Sequence, residues 1–184
     1  SIMKVFYALL ILLIPFVGFG QLGSYYKSEN HPKAKGLNFK IKVPLGFEQK
    51  EADRPNIVQK WVKDGVTFMV MVKNLDKEAS NISTEEWKDY FKNGTGLIDM
   101  TSEVKNVSNL KYYVLDNYPG LYYQVWMDLD RLDFSMRMYM LQASVIVEEQ
   151  MFIFQLAGMK EDITKYSELF NLMSNTIIFP DQYN

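Results

Sequence analysis

Between residues 37 and 180 the chain alternates short runs of apolar and polar positions with well-marked turns. Leu37, Phe39, Ile41 and Val43 alternate with Asn38, Lys40 and Lys42, the period-two signature of a strand with one buried face. Pro44 and Gly46 end it. Strands are predicted over Ile57–Lys63 and Val66–Asn74, joined by Asp64-Gly65. That dipeptide suits a tight hairpin, because both residues tolerate positive φ. A helix is predicted from Ser83. Ser83 and Glu86 have capping-box spacing, and Ile82 and Trp87 fit a hydrophobic staple. Gly94 is placed to close this helix.

Strands return from Val104 to Leu156. Runs over 110–115 and 121–129 flank Asn117-Tyr118-Pro119-Gly120, and further runs cover 134–147 and 150–156. Short turns imply antiparallel neighbours. A last helix is predicted over Ile163–Ser174, with Asp162 as cap and Ile163, Tyr166, Phe170 and Met173 on one face. The apolar tail Ile177–Phe179 follows. Several strands are apolar on both faces: Phe68, Val70 and Val72 oppose Met69 and Met71. That pattern describes a central sheet covered on both sides. The fold class is therefore α+β: an antiparallel sheet of about six to seven strands, covered by two main helices and an N-terminal hairpin.

The remaining segments are of a different kind. Lys4, the apolar run Val5–Phe19 with Pro15, and the small residues Gly18 and Gly20 have the parts of a secretory signal. Cleavage after Gly20 is expected. The run is shorter than the roughly 20 apolar residues that span a bilayer. Residues 21–36 are polar, with Pro32 and Gly36, and read as a linker. The expected division is thus a leader over 1–20, a linker over 21–36 and one domain over 37–180.

The order strand, hairpin, capped helix, long antiparallel strands, helix and apolar tail resembles the PsbP-like fold. That fold is shared by the lumenal extrinsic subunit of photosystem II and the Ran-release-factor family. Phe39–Pro44 before Gly46-Phe47 resembles its opening strand, and Ser83–Trp87 the start of its first helix. Asn117–Leu121 resembles the turn between its long strands. The resemblance covers residues 37 to 180 and implies an α/β/α sandwich. It also implies a protein that docks to larger assemblies rather than a catalyst.

Composition narrows the chemistry. The formal net charge is -2, so nothing offers the strongly basic face that nucleic acid requires. There is no cysteine, which excludes disulfides, thiolate metal sites and lipidation at an N-terminal cysteine. His31 is the one histidine and falls in the polar stretch, a poor place for a catalytic base. Glu148 and Glu149 are adjacent, so on a strand they would point apart rather than share a proton. Neither a catalytic residue nor a cofactor is assigned.

Three sets of residues stand out. Asp128, Asp130 and Asp133 could offer hard oxygens to Ca²⁺, with Arg131 as an internal counter-charge. Met69 and Met71, with Met136, Met138 and Met140, would converge as a Cu(I) site if their strands were neighbours. Tyr112, Tyr113, Tyr118, Tyr122, Tyr123 and Trp126 crowd one region and suit a partner or ligand surface. Asn81, Asn93 and Asn106 each begin a short glycosylation-type triplet. The expected role is an exported binding or assembly module that meets another envelope protein and touches membrane only through an uncleaved leader. The alternative is a periplasmic carrier of a small ligand or of copper or calcium.

Overall fold

The computed structural model describes residues 20–92 and 106–184. The expected leader, the proposed cap at Gly94, the triplet at Asn93 and the strand start at Val104 lie outside these residues. The elements run β1 (Leu22–Lys27), β2 (Lys40–Pro44), β3 (Glu48–Lys50), β4 (Ile57–Lys63), β5 (Val66–Asn74), α1 (Thr84–Lys92), β6 (Val107–Leu115), β7 (Tyr118–Arg131), β8 (Phe134–Val147), β9 (Gln150–Gly158) and α2 (Lys160–Ser174). Seven strands form one antiparallel sheet in the order β3-β4-β5-β9-β8-β7-β6. β1 and β2 form a separate antiparallel pair. This is the α+β architecture the periodicity predicts.

Turn chemistry sets the hairpins. Asp64 and Gly65 both take positive φ, 49° and 80°, as the hairpin between β4 and β5 requires. The turn between β6 and β7 is Asp116-Asn117, with φ of 44° and 73°. Asn117–Gly120 is therefore not the turn. Tyr118, Pro119 and Gly120 already belong to β7, because Asp and Asn tolerate the left-handed region and Pro does not. Gly120 permits a close crossing: a Cβ there would sit 1.9 Å from the Ser144 carbonyl oxygen.

Both sheet faces are covered. On one face Phe68, Phe152, Phe154, Leu156, Leu141 and Val145 pack beneath α2, β1 and β2. Phe154 and Phe170 stack at 4.6 Å with an interplanar angle of 3°. On the other face Leu121, Tyr123, Val125, Met140 and Ile146 pack against Trp87 and Phe91 of α1. The capping box forms as predicted: Glu86 Oε2 accepts from the Ser83 N–H at 2.8 Å, and the Glu86 N–H donates to Ser83 Oγ at 3.3 Å. α2 starts three residues earlier than expected. Asp162 lies inside its first turn and accepts from the Met159 N–H at 3.0 Å.

The polar stretch 21–36 is part of the fold rather than a linker. Leu22–Lys27 pairs with β2, and a turn of 3-10 helix covers Pro32–Ala34. Buried Ser28 accepts from the Phe39 N–H and donates to the Leu37 carbonyl. His31 caps that turn, its Nδ1 accepting from the Lys33 N–H at 3.2 Å. The hairpin β4–β5 lies within the main sheet, so the N-terminal cover is the β1–β2 pair.

Candidate functional site

β7 and β8 are each 14 residues long, whereas β6 and β9 are 9. The pairing of β6 with β7 stops at Val107 opposite Val125. That of β9 with β8 stops at Tyr139 opposite Gly158. Among the described residues the remainder of β7 and β8 pairs only with itself, from Trp126 opposite Tyr139 to Arg131 opposite Phe134. A two-stranded arm therefore projects roughly 20 Å beyond the sheet, at about 3.4 Å per residue.

The two faces of the arm differ. Strand alternation places Met127, Leu129, Met136, Met138 and Phe134 on one of them, continuous with the α1 side of the sheet. Met127 is 44% exposed, Phe134 58% and Leu132, in the tip turn, 105%. The other face carries Trp126, Asp128, Asp130, Ser135, Arg137 and Tyr139. Arg137 makes a bidentate pair with Asp128, at 2.8 and 3.1 Å. Its guanidinium also lies 3.6 Å from the centroid of Trp126. The hydrogen bond from Arg137 holds the Asp128 carboxyl below the ordinary carboxylate range, and the same bond raises Arg137. Ser135 donates to Asp130 Oδ1 at 2.6 Å.

Toward the body of the sheet the polar face continues as an aromatic strip beside α2. Tyr113 and Tyr122 are 5.6 Å apart, Tyr122 meets Phe170 at 6.1 Å, and Lys111 Nζ sits 4.5 Å over the Tyr122 ring. Burial raises the phenols of Tyr113 and Tyr122 above the ordinary 10.0. These half-buried rings with flanking cations are the residue types that anchor protein interfaces.

The structure divides the aromatic set. Tyr113, Tyr122 and Trp126 share a face, and Tyr112 lies on the other. Tyr118, 8% exposed, packs edge-on against Phe179 at 5.3 Å. Tyr123, 7% exposed, accepts a hydrogen bond from Gln142 beneath α1. Tyr118 and Tyr123 are core residues, so the predicted surface contracts to Tyr113, Tyr122 and Trp126.

The structure separates the candidate metal residues. Asp128 and Asp130 do share a face, as predicted, but Arg137 and Ser135 occupy them. Arg131 is on the opposite face, because alternation separates it from both aspartates. Asp133 is at the tip, and no group of three His, Cys, Asp or Glu side chains that could hold a metal ion occurs among the described residues. The methionines share a sheet face, but β9 lies between β5 and β8. Met69 faces Gln155, which faces Gln142, and Met140 faces Ala157. A separation of two strands, roughly 10 Å, keeps the thioethers of Met69 and Met71 from those of Met136, Met138 and Met140. Glu148 and Glu149 form the turn after β8, both exposed.

The exposed apolar tip was not read from the sequence. The run read over 121–129 stops short of the tip, and the exposure of the tip depends on where β6 and β9 end.

With strand order and helices in place, the relation to solved structures is decided. The cyanobacterial PsbP (CyanoP) of Synechocystis aligns over 89% of this chain and 95% of its own, with a TM-score of 0.51 and 12% identity. The fold is PsbP-like. LpqN of Mycobacterium tuberculosis, a protein involved in cell envelope biogenesis, aligns over 76% of this chain and 81% of its own, with a TM-score of 0.40 and 8% identity. No family model matches the sequence, and no curated protein matches it. At these identities the PsbP-like relation describes the fold and not a shared activity. Among the described residues no helix is long and apolar enough to cross a membrane.

Proposed function

We propose that this protein is an exported, non-catalytic module of the cell envelope that docks to another envelope protein through the β7–β8 arm. The carrying observation is the arm itself: an apolar centre of Leu132, Phe134 and Met127, standing clear of the sheet and rimmed by charge. An apolar centre inside a polar rim is the anatomy of a protein interface. The rim holds Asp128, Asp130 and Asp133 against Arg131 and Arg137. Three carboxylates against two guanidiniums disfavour an anionic lipid surface, which attracts basic clusters. The partner is therefore a protein with an apolar cleft.

Export is supported by the leader-like pattern of residues 4–20, and the described strands begin just after it. The Gln21 carbonyl accepts from the Leu45 N–H at 2.9 Å, and β1 begins at Leu22. A cut after Gly20 would leave every described strand intact.

The test has two arms. Mass spectrometry of protein from the envelope fraction should find Gln21 at the N-terminus; a retained Met3 contradicts cleavage. Affinity capture from the same extract should recover a partner with the wild type and lose it with Leu132→Ser plus Phe134→Ser. Recovery of the same protein by both contradicts docking through the arm. Sedimentation with anionic vesicles that depends on the tip would replace the protein partner by a membrane.

A further inference from the structure

A cleft of about 360 Å³ opens between α2, the end of β4, the loop after β2 and the chain at Gly20 and Gln21, just before β1. Its apolar wall is Leu45, Phe47 and Leu169. Phe47 and Tyr166 meet edge-to-face at 5.5 Å. Each ring of this pair carries a lysine: Lys63 Nζ lies 5.7 Å from the Phe47 centroid and Lys165 Nζ 5.2 Å from that of Tyr166. Both lysines line the cleft. Gly46, with φ of 79°, turns the chain beside Lys63.

The charges are not internally satisfied. Among the described residues the ion pairs are Lys50–Glu48, Lys88–Glu85 and Arg137–Asp128, and none involves Lys63 or Lys165. Glu168 also lines the cleft but pairs with neither lysine. Two lysine ammoniums and one carboxylate thus line the cleft, joined by the α-amino group of Gln21 after a cut at Gly20, and each ammonium brings three donors. A ring face holds an ammonium in place without using those donors. The volume lies at the low end of the roughly 300–1,000 Å³ of small-molecule sites, which suits a metabolite-sized ligand rather than a lipid.

We infer that this cleft binds a small organic anion, with a carboxylate or phosphate head between Lys63 and Lys165 and an aromatic or aliphatic body against Phe47, Leu45 and Leu169. The site is independent of the arm, and arm variants leave it intact.

The test is a titration of the isotopically labelled exported protein followed by amide NMR, with phenyl phosphate, hexanoate, hexanol and inorganic phosphate as probes. Phenyl phosphate and hexanoate should give saturable shifts at Phe47, Lys63, Lys165 and Tyr166. Lys63→Met with Lys165→Met keeps the apolar stems and should weaken both anions about tenfold or more, since charge-assisted hydrogen bonds are lost. Lys63→Arg should retain binding. Equal shifts with hexanol, unchanged affinity in the methionine variant, or no saturable shift with either anion would overturn the site. Inorganic phosphate binding as tightly as phenyl phosphate would overturn the apolar contact. Lysine-dependent binding to phosphatidylglycerol vesicles without binding of the free anions would assign the lysines to a membrane instead. An unchanged melting profile of the methionine variant separates loss of binding from loss of fold.

Discussion

Replacing Leu132 and Phe134 by serine removes the tip of the arm without touching the core. Phe134 is 58% exposed and Leu132 105%. Taking roughly 200 Å² for a phenylalanine, a partner that covers the ring removes about 120 Å² from water, or about 3 kcal/mol at ~25 cal/mol per Å². Covering the leucine adds about 2 kcal/mol. Incomplete burial and the ordering of side chains reduce the sum to roughly 3–4 kcal/mol, a loss of 10²–10³-fold in affinity on the order of. The fold should barely respond, because surface substitutions cost within about 0.5 kcal/mol and Phe134 faces only Arg131 across the ribbon. The assay is calorimetric titration against the captured partner, beside urea unfolding of both proteins. Val114→Ser is the control: it removes an exposed apolar side chain from β6, away from the arm. Wild-type affinity in the double variant refutes the docking geometry. An equal loss with Val114→Ser shows that exposed apolar area in general, and not the arm, drives capture.

Other consequences follow from particular contacts. Gly120→Ala places a Cβ 1.9 Å from the Ser144 oxygen and 2.6 Å from Val145 Cα, both backbone atoms that cannot swing away. It should cost more than about 4 kcal/mol by chemical denaturation, or prevent soluble folding; a wild-type midpoint would contradict the close crossing. Asp116→Ala removes the acceptor of the Phe179 N–H and of Gln182 Nε2, each at 2.7 Å, and of the Tyr183 hydroxyl. A loss of about 2–4 kcal/mol is expected in urea unfolding, and under about 0.5 kcal/mol would show that the C-terminal clasp is dispensable. Burial raises Tyr113, Tyr122 and Tyr123 above the ordinary 10.0. Phenols whose folded value is raised give stability that is present below about pH 10 and is lost as pH climbs through the folded values. Phenolate absorbance and circular dichroism should therefore show late ionisation coinciding with unfolding; all phenols ionising near pH 10 with the fold intact would refute this.

Most of the layering was legible in the sequence because it depends on local periodicity. Phe68, Val70 and Val72 alternate with Met69 and Met71, and the core lies where that alternation puts it. Asp64-Gly65 and the Ser83–Glu86 box report their turn and cap through chemistry confined to a few residues. β1 was not legible. Leu-Gly-Ser-Tyr-Tyr-Lys has little apolar alternation, and the strand exists because β2 offers it an edge and Tyr26 packs on Phe39 and Trp61. The aromatic set was half legible. Alternation separates Tyr122 from Tyr123, but only the placement of α2 beside Tyr122 and α1 over Tyr123 decides which ring meets a surface. The separation of the methionines rests on strand order: no local pattern reveals that β9 enters between β5 and β8. The same non-local fact hid the arm, since its exposure depends on where β6 and β9 stop.

Site-specific photo-crosslinking in the intact source cell tests docking most directly. A photoreactive residue at position 134 should give one dominant adduct with an envelope protein, and the same probe at position 114 should give none. Adducts from position 114 as abundant as those from position 134, or none from 134 with the protein exported and folded, would contradict an arm built to meet a partner.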